Sequence, residues 1–305
     1  MDRVKDILNI NDIHGRGITG KGTVTAILDT GIYRHPDINQ QIIAFKDMVS
    51  GSRAVYDNNG HGTHIAGIIS GSGKLSGGKY RGIAPGSKIV MVKVLDRLGK
   101  GNVNNVINGI NWIIQNKQRF QIRILNISIG TIANSPEDEY SDLVKAVDAA
   151  WDAGLIVVVA AGNNGPNPYT VTVPGISRKV ITVGASDEKS MVDRYGNKIT
   201  DFSGRGPTLS CIQKPDIVAP SREIISCKVM RNYKYKHISD AYIHKSGTSM
   251  ATPIVCGVIA LLLENEPHLT PKDVKIRIRD SAHDLGLPKN QQGWGQINPL
   301  KLIKH

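Results

Sequence analysis

Aromatic residues are scarce in this sequence: three Trp, three Phe and nine Tyr among 305 residues. The core of such a chain must rest on Ile, Val, Leu and Ala. Long apolar runs are missing as well. No segment approaches the roughly 20 apolar residues that span a bilayer, so no membrane partner is expected. The amino-terminal stretch MDRVKDILNINDIHG lacks the apolar centre of a secretory signal. Cysteine is rare too. Cys211, Cys227 and Cys256 are an odd number and cannot all pair within one chain. That argues against a disulfide framework and for a reducing, cytoplasmic compartment. The alternative is a secreted chain that is the mature fragment of a longer precursor. None of the three cysteines stands in a CxxC or other zinc spacing, and Cys256 lies in an apolar run where it reads as a small core residue. No repeat, low-complexity tract or linker interrupts residues 1–305, so a single domain is expected.

What is present is glycine, with 32 residues, and positive charge, with 38 Lys and Arg against 26 Asp and Glu. The excess of +12 raises affinity for nucleic acid or anionic partners as a question, but charge alone names no partner. Apolar runs at Thr23–Leu28, Lys88–Leu95, Ile124–Ile129, Leu155–Ala161 and Val180–Gly184 predict strands. Helical spacing follows His61, joins Val103 to Ile114, and runs from Thr248 to Glu264. Ser135-Pro136-Glu137-Asp138 reads as the start of a helix that carries Leu143, Val144, Val147 and Trp151 and stops at Gly154. Thr270-Pro271-Lys272-Asp273 starts another. Strands apolar on both faces, alternating with helices, predict an α/β fold with a central, mainly parallel sheet between helices. Residues 226–245 are polar and basic and are expected to form a surface insertion or hairpin.

Three blocks carry chemistry: AILDTG around Asp29, NGHGTHIAG around His61, and SGTSMATP around Ser249. A serine hydroxyl needs a base within hydrogen-bond reach to act as a nucleophile, and histidine titrates in the right range. The histidine in turn needs a carboxylate to hold its tautomer and stabilise its cation. Asp29, His61 and Ser249 supply those three types, each at an element boundary. Taken singly, each has another reading. Asp29 could be a turn or capping residue, Ser249 an N-cap, and His61 with His64 a metal pair for which no third ligand stands at a suitable spacing.

Together the blocks resemble the subtilisin-like (subtilase, S8-type) serine peptidases, most closely the intracellular AprX-type branch. DTGI, HGTHIAG, AAGNNG at Asn163 and GTSMATP all match, and so do HPD at His35–Asp37, GIAPGSKI, VKVL, FSGRGP and KPDIVAP. The match runs from about Gly20 to the carboxyl terminus, leaving residues 1–19 as an extension. The resemblance implies the three-layer subtilisin-like fold and peptide hydrolysis through an acyl-enzyme on Ser249. In it Asp29 orients His61, His61 is general base and then general acid, and the Asn163 amide completes the oxyanion hole. By itself Asn163 would read as a turn residue. The resemblance also implies that Gly99, Lys100 and Gly101, with Ser128, Ile129 and Gly130, pair with an extended substrate.

Departures from the family are expected to matter. Thr131 and Thr172 stand where relatives carry glycine and should narrow the S1 pocket toward uncharged, medium-sized side chains. The loop GSGKLSGGKY at Gly71–Tyr80 lacks a calcium-binding Asn pattern, and Asp37 alone cannot satisfy a hard cation. No cofactor is expected for catalysis, and a structural calcium cannot be assigned. No long propeptide precedes the match, so the chain either starts at a mature enzyme or folds without one. Polypeptide substrates, and a propeptide or protein inhibitor, are the partners that the resemblance implies. Two other readings stand beside it: a catalytically silent binding or regulatory protein on the same fold, and nucleic-acid binding through the RNYKYKH stretch, which no nucleic-acid motif accompanies.

Overall fold

The computed structural model describes residues 1–186, 201–230 and 238–303. The RNYKYKH stretch at 231–237 therefore lies outside the described residues. The strands are β1 (Val24–Asp29), β2 (Ile42–Asp47), β3 (Lys88–Lys93), β4 (Ile122–Ile127), β5 (Ile156–Ala160), β6 (Ile181–Ala185), β7 (Ile217–Ala219), β8 (Ile224–Cys227) and β9 (Tyr242–Lys245). The helices are α1 (Asp2–Ile7), α2 (Ile10–Gly15), α3 (His61–Ser70), α4 (Val103–Phe120), α5 (Asp142–Asp152), α6 (Thr248–Asn265), α7 (Pro271–Ser281), α8 (Lys289–Gln292) and α9 (Pro299–Leu302).

Strands β1 to β7 form a parallel sheet in the order β2-β3-β1-β4-β5-β6-β7. Alternate residues of β1 face opposite layers. Ile27 joins the layer built on α3 and α6, while Val24, Ala26 and Leu28 join the layer built on α4 and α5. Strands buried on both faces are what continuous apolar runs produce. The winding reverses between β1 and β4. In open α/β sheets the crevice beyond the carboxyl ends of the strands at such a reversal is where ligands bind.

Helix α6 is 18 residues long and apolar all round. By length and composition it is a weak candidate for a membrane span, but 83% of it is buried inside the protein, as in a core helix.

Two expectations need correction. The Ser135 capping box opens a short 3-10 turn over Pro136–Tyr140, not the long helix. Helix α5 starts afresh at Asp142, with the Ser141 hydroxyl accepting from Val144 N. Residues 226–245 are not a purely surface feature. Ser226–Cys227 and Tyr242–Lys245 pair in the antiparallel strands β8 and β9, of which β8 is wholly buried, and Tyr242 packs inward. The extension, residues 1–19, folds as α1 and α2, which bury Met1, Val4, Leu8, Ile10 and Ile13 in the main core.

Candidate active site

Five functional side chains come from the carboxyl edge of the sheet and from two helix starts. Asp29 ends β1, Ser128 follows β4, and Asn163 lies three residues beyond β5. These three strands are neighbours in the sheet. His61 opens α3 and Ser249 is the second residue of α6.

Asp29 is fully buried. Its two oxygens lie 2.8 and 2.9 Å from Nδ1 of His61, and Oδ1 also accepts from Thr30 N at 2.7 Å. The contact requires α3 to start almost on top of β1, and Gly62 permits it. A Cβ there would stand 2.2 Å from Gly31 O and 3.1 Å from the Asp29 Cβ. Burial alone would lower the His61 pKa. The charge and hydrogen bond of Asp29 outweigh it, so the pKa is raised above its ordinary value, with Lys245 opposing and Asp57 assisting. This is the pairing that holds a general base in one tautomer and stabilises its cation.

Asp57 was not singled out in the sequence, yet it organises the loop that delivers His61. Its Oδ1 accepts from Thr30 Oγ1, Asn59 N and Gly60 N, and its Oδ2 from Thr63 N and Thr63 Oγ1. An Asp four residues before the helix is a cap-type signal that could have revealed it. Lys93 was missed for a different reason. It sits inside an apolar strand and is 1% exposed, and its ammonium donates to Thr30 O, Leu95 O and Asn58 Oδ1.

His64 is not a metal ligand beside His61. It is fully buried, and its Nε2 lies 2.9 Å from Ile224 O and 3.1 Å from Ile243 O, tying α3 to both β8 and β9. Burial lowers its pKa to about 3, so it is neutral.

Ser249 Oγ donates to Ser128 O at 3.0 Å rather than to His61 Nε2. The link between nucleophile and base expected from the sequence is therefore not made in this resting arrangement. Beneath it, Asn126 Nδ2 donates to Ser128 Oγ, which donates to Ser249 O at 3.2 Å. That carbonyl is free because Pro253, four residues on, has no N–H to offer it. Cys256 Sγ donates to Asn126 Oδ1 at 3.5 Å and closes the network.

Asn163 Oδ1 accepts from Thr248 N at 2.9 Å and from Thr248 Oγ1 at 3.1 Å. With its carbonyl end occupied, its amide end is the donor left over for a ligand. Gly247 precedes this helix start and is required there by its backbone rather than by space. Its φ of 140° disfavours any side chain, and a Cβ would stand 3.4 Å from Asn163 Nδ2.

The proposed substrate segments are only partly brought together. Gly99, Lys100, Gly101, Ile129, Gly130 and Thr131 line one cavity of about 490 Å³. Gly99–Gly101 is not an extended strand there. It belongs to a tight turn stapled by Asp96, whose Oδ1 accepts from Leu98 N and Lys100 N. Ser128–Gly130 lies outside any strand, with Ser128 O accepting from Ser249 Oγ in this arrangement. The two threonines differ in exposure. Thr172 is buried, and a Cβ on Gly130 or Gly162 would clash with its side chain. Thr131 is exposed, although it pairs through its backbone with Val173, the residue after Thr172.

A calcium site in the Gly71–Tyr80 loop does not fit the residues present. The Asp37 oxygens already accept from Leu75 N at 3.0 Å and Tyr242 Oη at 2.6 Å. His35, Asp37 and Cys227 do gather their donor atoms within 4.8 Å of one another. His35 Nδ1 accepts from Asp37 N and its Nε2 lies 3.0 Å from Ala241 O, so both ring nitrogens are already engaged.

Comparison with known proteins agrees with this geometry. Residues 20–295 match the model of the subtilase family. The chain is 45% identical over 278 residues to serine protease AprX of Bacillus subtilis, covering 88% of this chain and 63% of that protein. It is 33% identical over 285 residues to subtilisin Savinase of Lederbergia lenta, covering 93% and 92%. Among solved structures, a cold-adapted subtilisin-like serine proteinase superposes with a TM-score of 0.70 at 30% identity, covering 92% of this chain and 88% of that one. Sphericase gives 0.76 at 27% identity, covering 92% of each. This chain belongs to the subtilase family.

Proposed function

We infer that this chain is a subtilisin-like serine endopeptidase that hydrolyses polypeptides through an acyl-enzyme on Ser249. The observation that carries the reading is the convergence of Asp29, His61, Ser249 and Asn163 at one edge of the sheet, with His61 already locked to Asp29. When substrate binds, Ser249 Oγ turns from Ser128 O to His61 Nε2. As Oγ bonds to the carbonyl carbon its proton passes to Nε2, and the Asn163 amide and Ser249 N–H receive the oxyanion. Collapse breaks the C–N bond, and Nε2 returns the proton to the leaving amine. Water, deprotonated by the same imidazole, then releases the acyl group.

Ser128–Gly130 supplies backbone for an extended substrate, and buried Thr172 supports a shallow S1 pocket suited to Leu, Met or Ala. Three free thiols, Cys211 exposed and the other two buried, support a cytoplasmic setting. The Ser249–Ser128 hydrogen bond is the one observation favouring a catalytically silent relative. Turnover of an unstructured protein substrate, abolished by Ser249→Ala in a protein that keeps its circular dichroism, is the expected result. Failure of the wild type to take up a fluorophosphonate would instead favour the silent reading.

A further inference from the structure

We propose that a second depression beside His61, walled by Lys228 and Lys245, is a subsite for an acidic side chain on the leaving-group side of the scissile bond. The proposal rests on the peptidase reading above. The depression has a volume of about 420 Å³. Its wall includes Gly60, which immediately precedes His61, and Lys245, the last residue of β9 and four positions before Ser249. It shares no lining residue with the cavity beside Gly99–Gly101 and Ile129–Thr131. A chain whose acyl half lies along that first cavity passes His61, the group that protonates the leaving amine, and comes to the second.

The charge of this wall is unbalanced. Lys228 is exposed and Lys245 half-buried, and among the described residues neither ammonium has an ion-pair or hydrogen-bond partner. The only carboxylate in the wall is Asp57. It is 5% exposed, and both its oxygens are occupied by the five hydrogen bonds from Thr30, Asn59, Gly60 and Thr63. Its oxygens are thus committed to the His61 loop, and the two lysines leave the wall with one positive charge in excess. Val229 and Ile243 give the same wall an apolar part against which the methylenes of Glu can lie. Lys245 faces Gly60 across this depression, so its ammonium stands on the wall that adjoins the His61 loop. A peptide carboxylate here meets two cations that have no partner among the described residues, at the edge of solvent, where each pair contributes modestly and is screened by salt.

The test compares quenched fluorescent peptides that differ only by Glu or Gln at each of the first three leaving-group positions. The ratio of kcat/KM for Glu over Gln is the readout. We expect a ratio of roughly 3 to 20 in the wild type at one of these positions. It should fall in Lys228→Gln and in Lys245→Gln, approach 1 in the double variant, and collapse in 1 M salt. A ratio of 1 in the wild type, a ratio that survives the double substitution, or a preference confined to acyl-side positions overturns the subsite. The same peptides are titrated into Ser249→Ala by calorimetry, which reads the subsite without turnover. Tighter binding of the Glu peptide there supports it even if the wild type cleaves neither peptide, a result that would sink only the peptidase reading. Equal binding overturns it.

Discussion

At the scale of single residues, the site is a set of groups whose alternative partners have been used up. Asn163 spends its carbonyl on Thr248, so its amide faces the ligand. Asn163→Ala should lower kcat by roughly the 10²–10³ seen when a subtilisin loses this donor, with KM nearly unchanged. A fall in KM-dependent binding with kcat intact would remove Asn163 from the oxyanion hole. His61 carries the second prediction. Its pKa is raised because Asp29 outweighs burial, and only the neutral imidazole can accept the Ser249 proton. Activity must therefore decline as pH falls through that raised value. The acid limb of kcat/KM should lie above the ordinary imidazole value of about 6.5. Lys245 opposes protonation, whereas Asp57 and Asp29 favour it. Lys245→Gln should move the limb further to alkaline pH. A limb at or below pH 6.5 would show that desolvation wins.

At the scale of elements, function depends on how closely α3 approaches β1 and α6 approaches β4. Gly62 sets the first distance. A methyl group there would meet Gly31 O at 2.2 Å, backbone that cannot give way cheaply. Gly62→Ala should displace the start of α3, lower kcat/KM by about 100-fold or more, and cost about 1–3 kcal/mol in stability. Unchanged kcat/KM would show that His61 reaches Asp29 without this packing. The second approach is held by Ser128, whose hydroxyl takes the carbonyl that Pro253 leaves unpaired. Periodicity and caps made most elements legible: α4, α6 and α7 begin at the residues their sequence signals mark. The edge strands β2 and β7 were not legible. Lys46 and Asp47 dilute the apolar pattern of β2, and β7 is only three residues long.

At the scale of the whole molecule, one buried ionic cluster joins sheet to helix layer. Asp216, just before β7, accepts from Lys214 Nζ at 2.6 Å and Thr182 N at 2.8 Å, and its other oxygen lies 3.4 Å from Lys275 Nζ. Lys214 is 1% exposed, and burial lowers its pKa to about 8. Asp216→Ala would strand that ammonium in the interior with Val180 O as its remaining described partner. A loss of about 3–5 kcal/mol in chemical denaturation is expected, with kcat preserved at low temperature because the cluster lies away from His61. A loss below 1 kcal/mol would mean that Lys214 simply deprotonates. The net charge of +12 acts at the same scale. It favours encounter with acidic peptides at low ionic strength and fades as salt shortens the Debye length.

The sequence by itself determined the chemistry and its order along the chain. Asp29, His61, Asn163 and Ser249 each stand in a short block whose turn glycines and apolar runs are local, and local patterns can be read without coordinates. The same is true of the parallel sheet, because strands apolar on both faces leave few other architectures. Only the tertiary structure decided where those blocks meet and what else meets them. Lys93 and Asn126 take their roles from partners on other elements, so no spacing announces them, and Asp57 shows only its local capping part in the sequence. The turn at Gly99–Gly101, the packing of Thr172 against Gly130 and Gly162, and the resting bond from Ser249 to Ser128 depend equally on long-range packing. So do the two lysines beside the His61 loop, which become a common wall only when the β8–β9 pair folds against the loop that Asp57 holds.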